Sequence, residues 1–405
     1  MNVDRTVKAP PPARADGLWF SDCGLVLRAE NTVFRVSRDF MATHSRIFRD
    51  MLALGPAPTD AETFDGCPLV GLPDSAEDTT KVLKGLLYHD FLSFNATDNT
   101  IAVLLSILRM AHKYEVSSLL KRSLHHVSLL FPTTLAALDT SGQRHQKAAG
   151  PGPGVDWPTV ILTARRVSME WMLPVAFYWM CSPTYEGAIL RSPLSVEDKQ
   201  RWVVGLRQLD TQERWEVLAF LSAAPNPGCP SKEQCAQSRA SVRLAVDQFM
   251  RSRPAEPLGL PLHLWGPVSW NSLEAQVCPL CVADMRAAHR AARESLWARL
   301  PQIFDLPSWV TAPTSVPISY FGNYPKLGPI GERLPMETRA VTSNVFSFSQ
   351  PSTMGAHQNS LMGSRSFAGV SDPIRDMTGI PHPLLATRAF CCWQSFVLGV
   401  VKGVV

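Results

Sequence analysis

Residues 17–52, GLWFSDCGLVLRAENTVFRVSRDFMATHSRIFRDML, admit few folds. Leu25, Leu27 and Ala29 alternate with Val26 and Arg28. Beyond a Glu30-Asn31 bend, Thr32, Phe34 and Val36 alternate with Val33, Arg35 and Ser37. Side chains on a strand repeat every two residues, so this is the pattern of a half-buried β-hairpin. From Arg38 the apolar positions Phe40, Met41, Ile47, Phe48, Met51 and Leu52 recur every three or four residues, which predicts short helices. Ser37 and Ser45 stand where a hydroxyl can accept from an unpaired first-turn N–H.

The next segments continue the alternation of strand and helix. Cys67 to Pro73 is a short apolar run ended by proline and predicts a third strand. Asp74 and Ser75 are cap candidates, with Glu77 and Asp78 supplying negative charge at a helix start. Val82, Leu83, Leu86 and Leu87 then recur at helical spacing. So do Ile101, Leu104, Leu105, Leu108, Ala111, Tyr114, Val116, Leu119 and Leu120.

In this order the residues resemble the BTB/POZ domain. The match runs through Asp22-x-x-Leu25, Phe34-x-Val36-x-Arg38 and Ser45-x-x-Phe48-x-x-Met51, then Leu104-Leu105, Ala111, Tyr114, Val116 and Leu119. Ser37 stands where the family usually has His. The resemblance covers residues 17–130 and implies an α+β fold, a small mixed sheet packed on a helical cluster. It also implies a non-enzymatic interaction module that forms a homodimer or pairs with another BTB protein. Leu18, Trp19, Phe20, Phe40 and Met41 are then the apolar candidates for the dimer interface. Asp22 and Arg38 would face a charged pocket beside it as a buried or half-buried ion pair. The plainer reading of those two is a hairpin-start Asp and a solvated Arg. Because several BTB families serve as adaptors of cullin-type ubiquitin ligases, a cullin is a second partner to expect. No substrate module is recognisable.

Beyond residue 130 the chain has no family motif as clear. Residues 131–225 carry apolar helical patterns, at Val160, Ile161, Ala164 and Val167, at 174–180 and at 213–224, and read as a helical extension. Residues 226–310 hold the one constellation with metal chemistry. Cys229-x5-Cys235 is followed by Cys278-x2-Cys281, each pair placed before a helical pattern, with His289 further along. Four thiolates in two pairs can close a tetrahedral site around a structural zinc, and such a site holds no activated water. The alternative is four unligated cysteines. A redox Cys-x-x-Cys would want a βαβ surround that is missing. Residues 294–309 look like an end that packs back. With the cysteine segment before it, this ending resembles the long BTB proteins of filamentous and mushroom-forming fungi.

Composition excludes other classes. A net charge of +4 on 405 residues, with no basic block, argues against nucleic acid as a partner. A zinc-dependent nuclear regulator touching nucleic acid therefore stays a rival reading only. Nine cysteines, an odd number, suit a reducing compartment, cytoplasmic or nuclear. There is no G-x-S-x-G, no phosphate-cradling glycine loop and no H-E-x-x-H, so no residues support an enzyme. Residues 1–16 read as a disordered lead-in. Residues 311–405, rich in Pro, Gly, Ser and Thr, read as a mostly disordered low-complexity tail. The apolar run 389–402 is shorter than the roughly 20 residues a bilayer span takes and carries Gln394 and Lys402, so it reads as a short interfacial or docking segment and no membrane span is expected.

Overall fold

The computed structural model describes residues 11–54, 62–92, 100–140, 155–182, 186–252 and 260–309. Its first element is a strand, β1 (Ala13–Trp19), which begins inside the stretch 1–16 expected to be disordered. That expectation is corrected from Ala13 onward, while residues 1–10 lie outside the described residues, as do the tail and its apolar run. β1 lacks alternation because backbone groups hold it. The Ala13 N–H donates to the Asn31 carbonyl at 2.8 Å and the Phe20 N–H to the Arg35 carbonyl at 3.0 Å.

The predicted hairpin forms as β2 (Leu25–Ala29) and β3 (Thr32–Val36), with Leu25 opposite Val36 and Ala29 opposite Thr32. Glu30 turns the chain in the left-handed region at φ 52°, and its carboxylate accepts from the Ala76 N–H at 3.0 Å. β4 (Thr63–Phe64) and β5 (Cys67–Leu72) complete a mixed five-stranded sheet ordered β1-β3-β2-β5-β4, with β1–β3 and β2–β5 parallel. The hairpin is not half-buried. Leu25, Leu27, Ala29, Phe34 and Val36 enter the main core, and Val26, Val33 and Cys67 are covered on the opposite face by Trp19, Phe64 and Leu69.

Serine caps set the helix starts. Ser37 accepts from the Phe40 N–H to begin α1 (Arg38–His44), and Ser45 from Phe48 to begin α2 (Arg46–Ala53). Ser75 accepts from Asp78 to begin α3 (Ala76–Leu87). Ser45 also donates to the Tyr114 carbonyl at 2.5 Å, joining α2 to the turn between α4 (Ile101–Lys113) and α5 (Ser117–Leu130). Glu115, at φ 50°, makes that turn. On α3, Asp78 accepts from Ser106 and, at 2.9 Å, from Arg109 of α4.

The remainder is helical: α6 (Trp157–Arg166), α7 (Leu173–Met180), α8 (Glu186–Arg191) and α9 (Val196–Gln208). The pattern at 213–224 is not one helix. A π turn (Leu209–Glu213), a short α10 (Arg214–Val217) and a 3₁₀ turn (Ala219–Ser222) divide it. α11 (Lys232–Ser252), α12 (Pro267–Glu274) and α13 (Pro279–Ile303) follow. The expected packing back of the end is present, with Trp309 stacked on Trp297 at 4.7 Å and its Nε1 donating to the Trp297 carbonyl at 2.9 Å.

The described residues thus make an α+β arrangement, a small mixed sheet with a mostly helical remainder. No gap marks residue 130. One buried cluster runs from Leu18 through Leu130 and Phe131 to Trp157, Phe177 and Phe304. A second, separate cluster gathers around the cysteines. Among the described residues no helix is long and apolar enough to cross a membrane.

Candidate metal centre

Sequence pairs the cysteines along the chain, and the structure brings both pairs to one point. The sulfurs of Cys229, Cys235, Cys278 and Cys281 all lie within 4.8 Å of one another, the one such convergence of ligating side chains among the described residues. A Zn–S bond of about 2.3 Å in a tetrahedron sets neighbouring sulfurs about 3.8 Å apart. The Cys229–Cys278 sulfur separation is 3.5 Å. The residues fit a tetrahedral ion.

Local structure explains the convergence. Asn226 turns the loop that carries Cys229: its side-chain oxygen accepts from the Gly228 N–H at 2.8 Å and its carbonyl from the Cys229 N–H at 2.9 Å. The Asn226 amide also donates to Asp284 on α13 at 2.6 Å, which fixes the loop against that helix. Cys235 lies in the first turn of α11, its N–H bonded to the Ser231 carbonyl at 2.9 Å. Cys278 is the N-cap residue of α13, Pro279 takes the first helical position, and Cys281 follows in the first turn. The expectation that each pair precedes its helix is therefore corrected. Cys235 and Cys281 are on the helices, because the spacings x5 and x2 each include a helix start.

Backbone N–H groups around the sulfurs favour the anionic form, and burial opposes it. The Asn226 N–H points at the Cys281 sulfur and the Cys278 N–H at the Cys235 sulfur, both at 3.3 Å. The Cys281 N–H, at the open start of α13, draws the Cys278 thiol below its ordinary range. Burial pushes Cys229 and Cys281 the other way. Cys278 is half-buried and the other three are buried. A divalent cation bound by the four sulfurs would displace the remaining thiol protons.

His289 is not a fifth ligand. It is 7 % exposed and packs edge-on against Phe220 at 5.1 Å and Trp270 at 5.5 Å. Burial, with Arg293 nearby, lowers its pKa to about 4. A cleft of about 480 Å³ lies beside it, lined in part by Trp265, Trp270, Asn271 and Arg290. Two further lining arginines are engaged: Arg293 with Asp139, and Arg286 with Glu274 at 2.7 Å.

The sheet-side candidates separate into two groups. Leu18 and Met41 are 0 % and 2 % exposed within the protomer's own core, so they are withdrawn as interface residues. Trp19, Phe20 and Phe40 are half-buried; Trp19 packs edge-on against Phe64 at 5.9 Å, and Phe40 against His44 at 4.3 Å. The expected Asp22–Arg38 pair does not form. Arg38 is exposed and donates to the Leu52 carbonyl at 2.7 Å, while exposed Asp22 accepts weakly from the Cys23 thiol at 3.8 Å. A buried carboxylate is paired instead in the helical remainder. Glu213, fully buried on the π turn, receives Arg299 of α13 at 2.7 and 2.9 Å. Sequence periodicity gave no sign of it, because the π turn that places Glu213 inside the core has no repeat of its own.

Comparison with protein-family models finds no match, and comparisons with curated proteins and with solved structures find none either.

Proposed function

We propose that this chain is a non-enzymatic protein-interaction module in which a structural zinc ion clamps the C-terminal helical part. The convergence of four sulfurs from a loop and two helix starts carries the reading. Four thiolates close the coordination sphere, leaving no position for a substrate or an activated water, so the ion's role is to hold the fold.

The self-association half of the proposal rests on the BTB/POZ resemblance. The succession supports it: hairpin, two capped helices, a strand parallel to β2, α3, then the α4–α5 pair. With Leu18 and Met41 inside, the apolar surface left for a second copy includes half-buried Trp19, Phe20 and Phe40, with Ile47 of α2 and Leu54 at its C-cap, 39 % and 87 % exposed. A two-fold dimer would bury the same patch on both copies and display two helical regions at once. The test is metal analysis and solution mass of the full chain. One zinc per chain and twice the chain mass are expected. A metal-free chain would refute the clamp, and a monomer at high concentration would refute the self-association.

A further inference from the structure

Arg239 sits on α11 one turn beyond Cys235 and is 2 % exposed. Its Nε donates to the Cys235 carbonyl at 3.3 Å and its Nη1 to the Ala224 carbonyl at 3.4 Å, while Nη2 is buried with no partner. Among the described residues no carboxylate pairs with it. Carbonyl dipoles do not neutralise a guanidinium, and a buried charge without a counter-charge is strongly unfavourable. The groups Arg239 grips belong to the cysteine site. One is the backbone of a ligand, and the other is two residues before Asn226, whose N–H reaches the Cys281 sulfur. A divalent ion held by four thiolates carries a net charge of two minus. Such a centre would supply the anion that this arginine lacks among the described residues.

We propose that Arg239 is the counter-charge of the tetrathiolate centre, a positioning residue that binds two of its supporting carbonyls and offsets part of its negative charge. The proposal rests on the zinc reading above and deepens it. Outer-shell partners of this kind contribute about 10- to 100-fold to metal affinity.

The test uses the full chain, with zinc stoichiometry measured by elemental analysis and affinity by competition with a chromophoric chelator. Wild type should hold one zinc. Arg239→Gln should stay helical by circular dichroism and bind zinc at least about tenfold more weakly. Arg239→Lys, which keeps the charge with fewer hydrogen bonds, should recover most of that loss. Equal affinity in wild type and Arg239→Gln would overturn the proposal. So would equal losses in Gln and Lys, or failure of both variants to fold with zinc present, since each assigns Arg239 to backbone support alone. A wild-type chain without zinc is a different failure: the zinc reading falls first and takes this one with it.

Discussion

Replacing Cys281 by serine removes one sulfur from a fully buried position while leaving a hydroxyl in reach of the Asn226 N–H. The consequence can be sized from the chain. Cys229 and Cys278 are 49 residues apart, so an ion bridging them closes a loop of that length. The chain-entropy estimate for a cross-link of this span is about 4 kcal/mol. For a body of roughly 150–250 residues each kcal/mol moves the melting temperature by about 2–4 °C, so Cys281→Ser should melt about 8–16 °C lower. Thermal denaturation of the full chain by circular dichroism, with and without a zinc chelator, checks this. The chelator should bring wild type down to the variant and leave the variant where it is. A variant melting within about 2 °C of wild type, in a wild type indifferent to the chelator, would refute the argument that a metal closes this loop.

Ser45→Ala should cost about 1–2 kcal/mol in chemical denaturation, because one hydroxyl both caps α2 and reaches the Tyr114 carbonyl. Gly205→Ala would place a methyl 2.1 Å from the Phe304 ring, which is stacked on Phe177; a loss of about 1–3 kcal/mol is expected in the same assay. For His289 the folded pKa, about 4, lies below that of the unfolded chain, about 6.5. The unfolded state therefore binds the extra proton, and stability present above pH 6.5 is lost as pH falls toward 4. His289→Phe should flatten that part of the stability–pH curve; an unchanged slope would contradict it.

How much of this was legible depends on the range of the physics. The β2–β3 hairpin, the caps at Ser37, Ser45 and Ser75, and the helices around Leu83 and Leu108 follow from local periodicity and first-turn hydrogen bonding. The cysteine spacing likewise announced a site before its geometry was seen. Features decided by distant partners stayed hidden. β1 and the residue after it are held by backbone bonds that reach from Ala13 to Asn31 and from Phe20 to Arg35, and its Arg, Asp and Gly content carries no alternation. Leu18 looked available to a second copy because the core that covers it is built from β2, β3 and the later helices. Asp22 and Arg38 have the right charges, yet Arg38 spends its guanidinium on the Leu52 carbonyl at the end of α2. Arg239 was silent for a like reason: only the fold shows that, among the described residues, no carboxylate pairs with it.

One helix belongs to both buried clusters. At its start α13 brings Cys281 and Met285 to the cysteine side, and near its end it sends Leu296, Leu300 and Ile303 into the main core. Its 25 residues make a rod of about 37 Å. Release of the ion at one tip would free that end of a lever still gripped at the other by Arg299 and Glu213. The stacked indoles of Trp297 and Trp309 sit by the gripped end, so their fluorescence offers a gauge of how far such loosening travels.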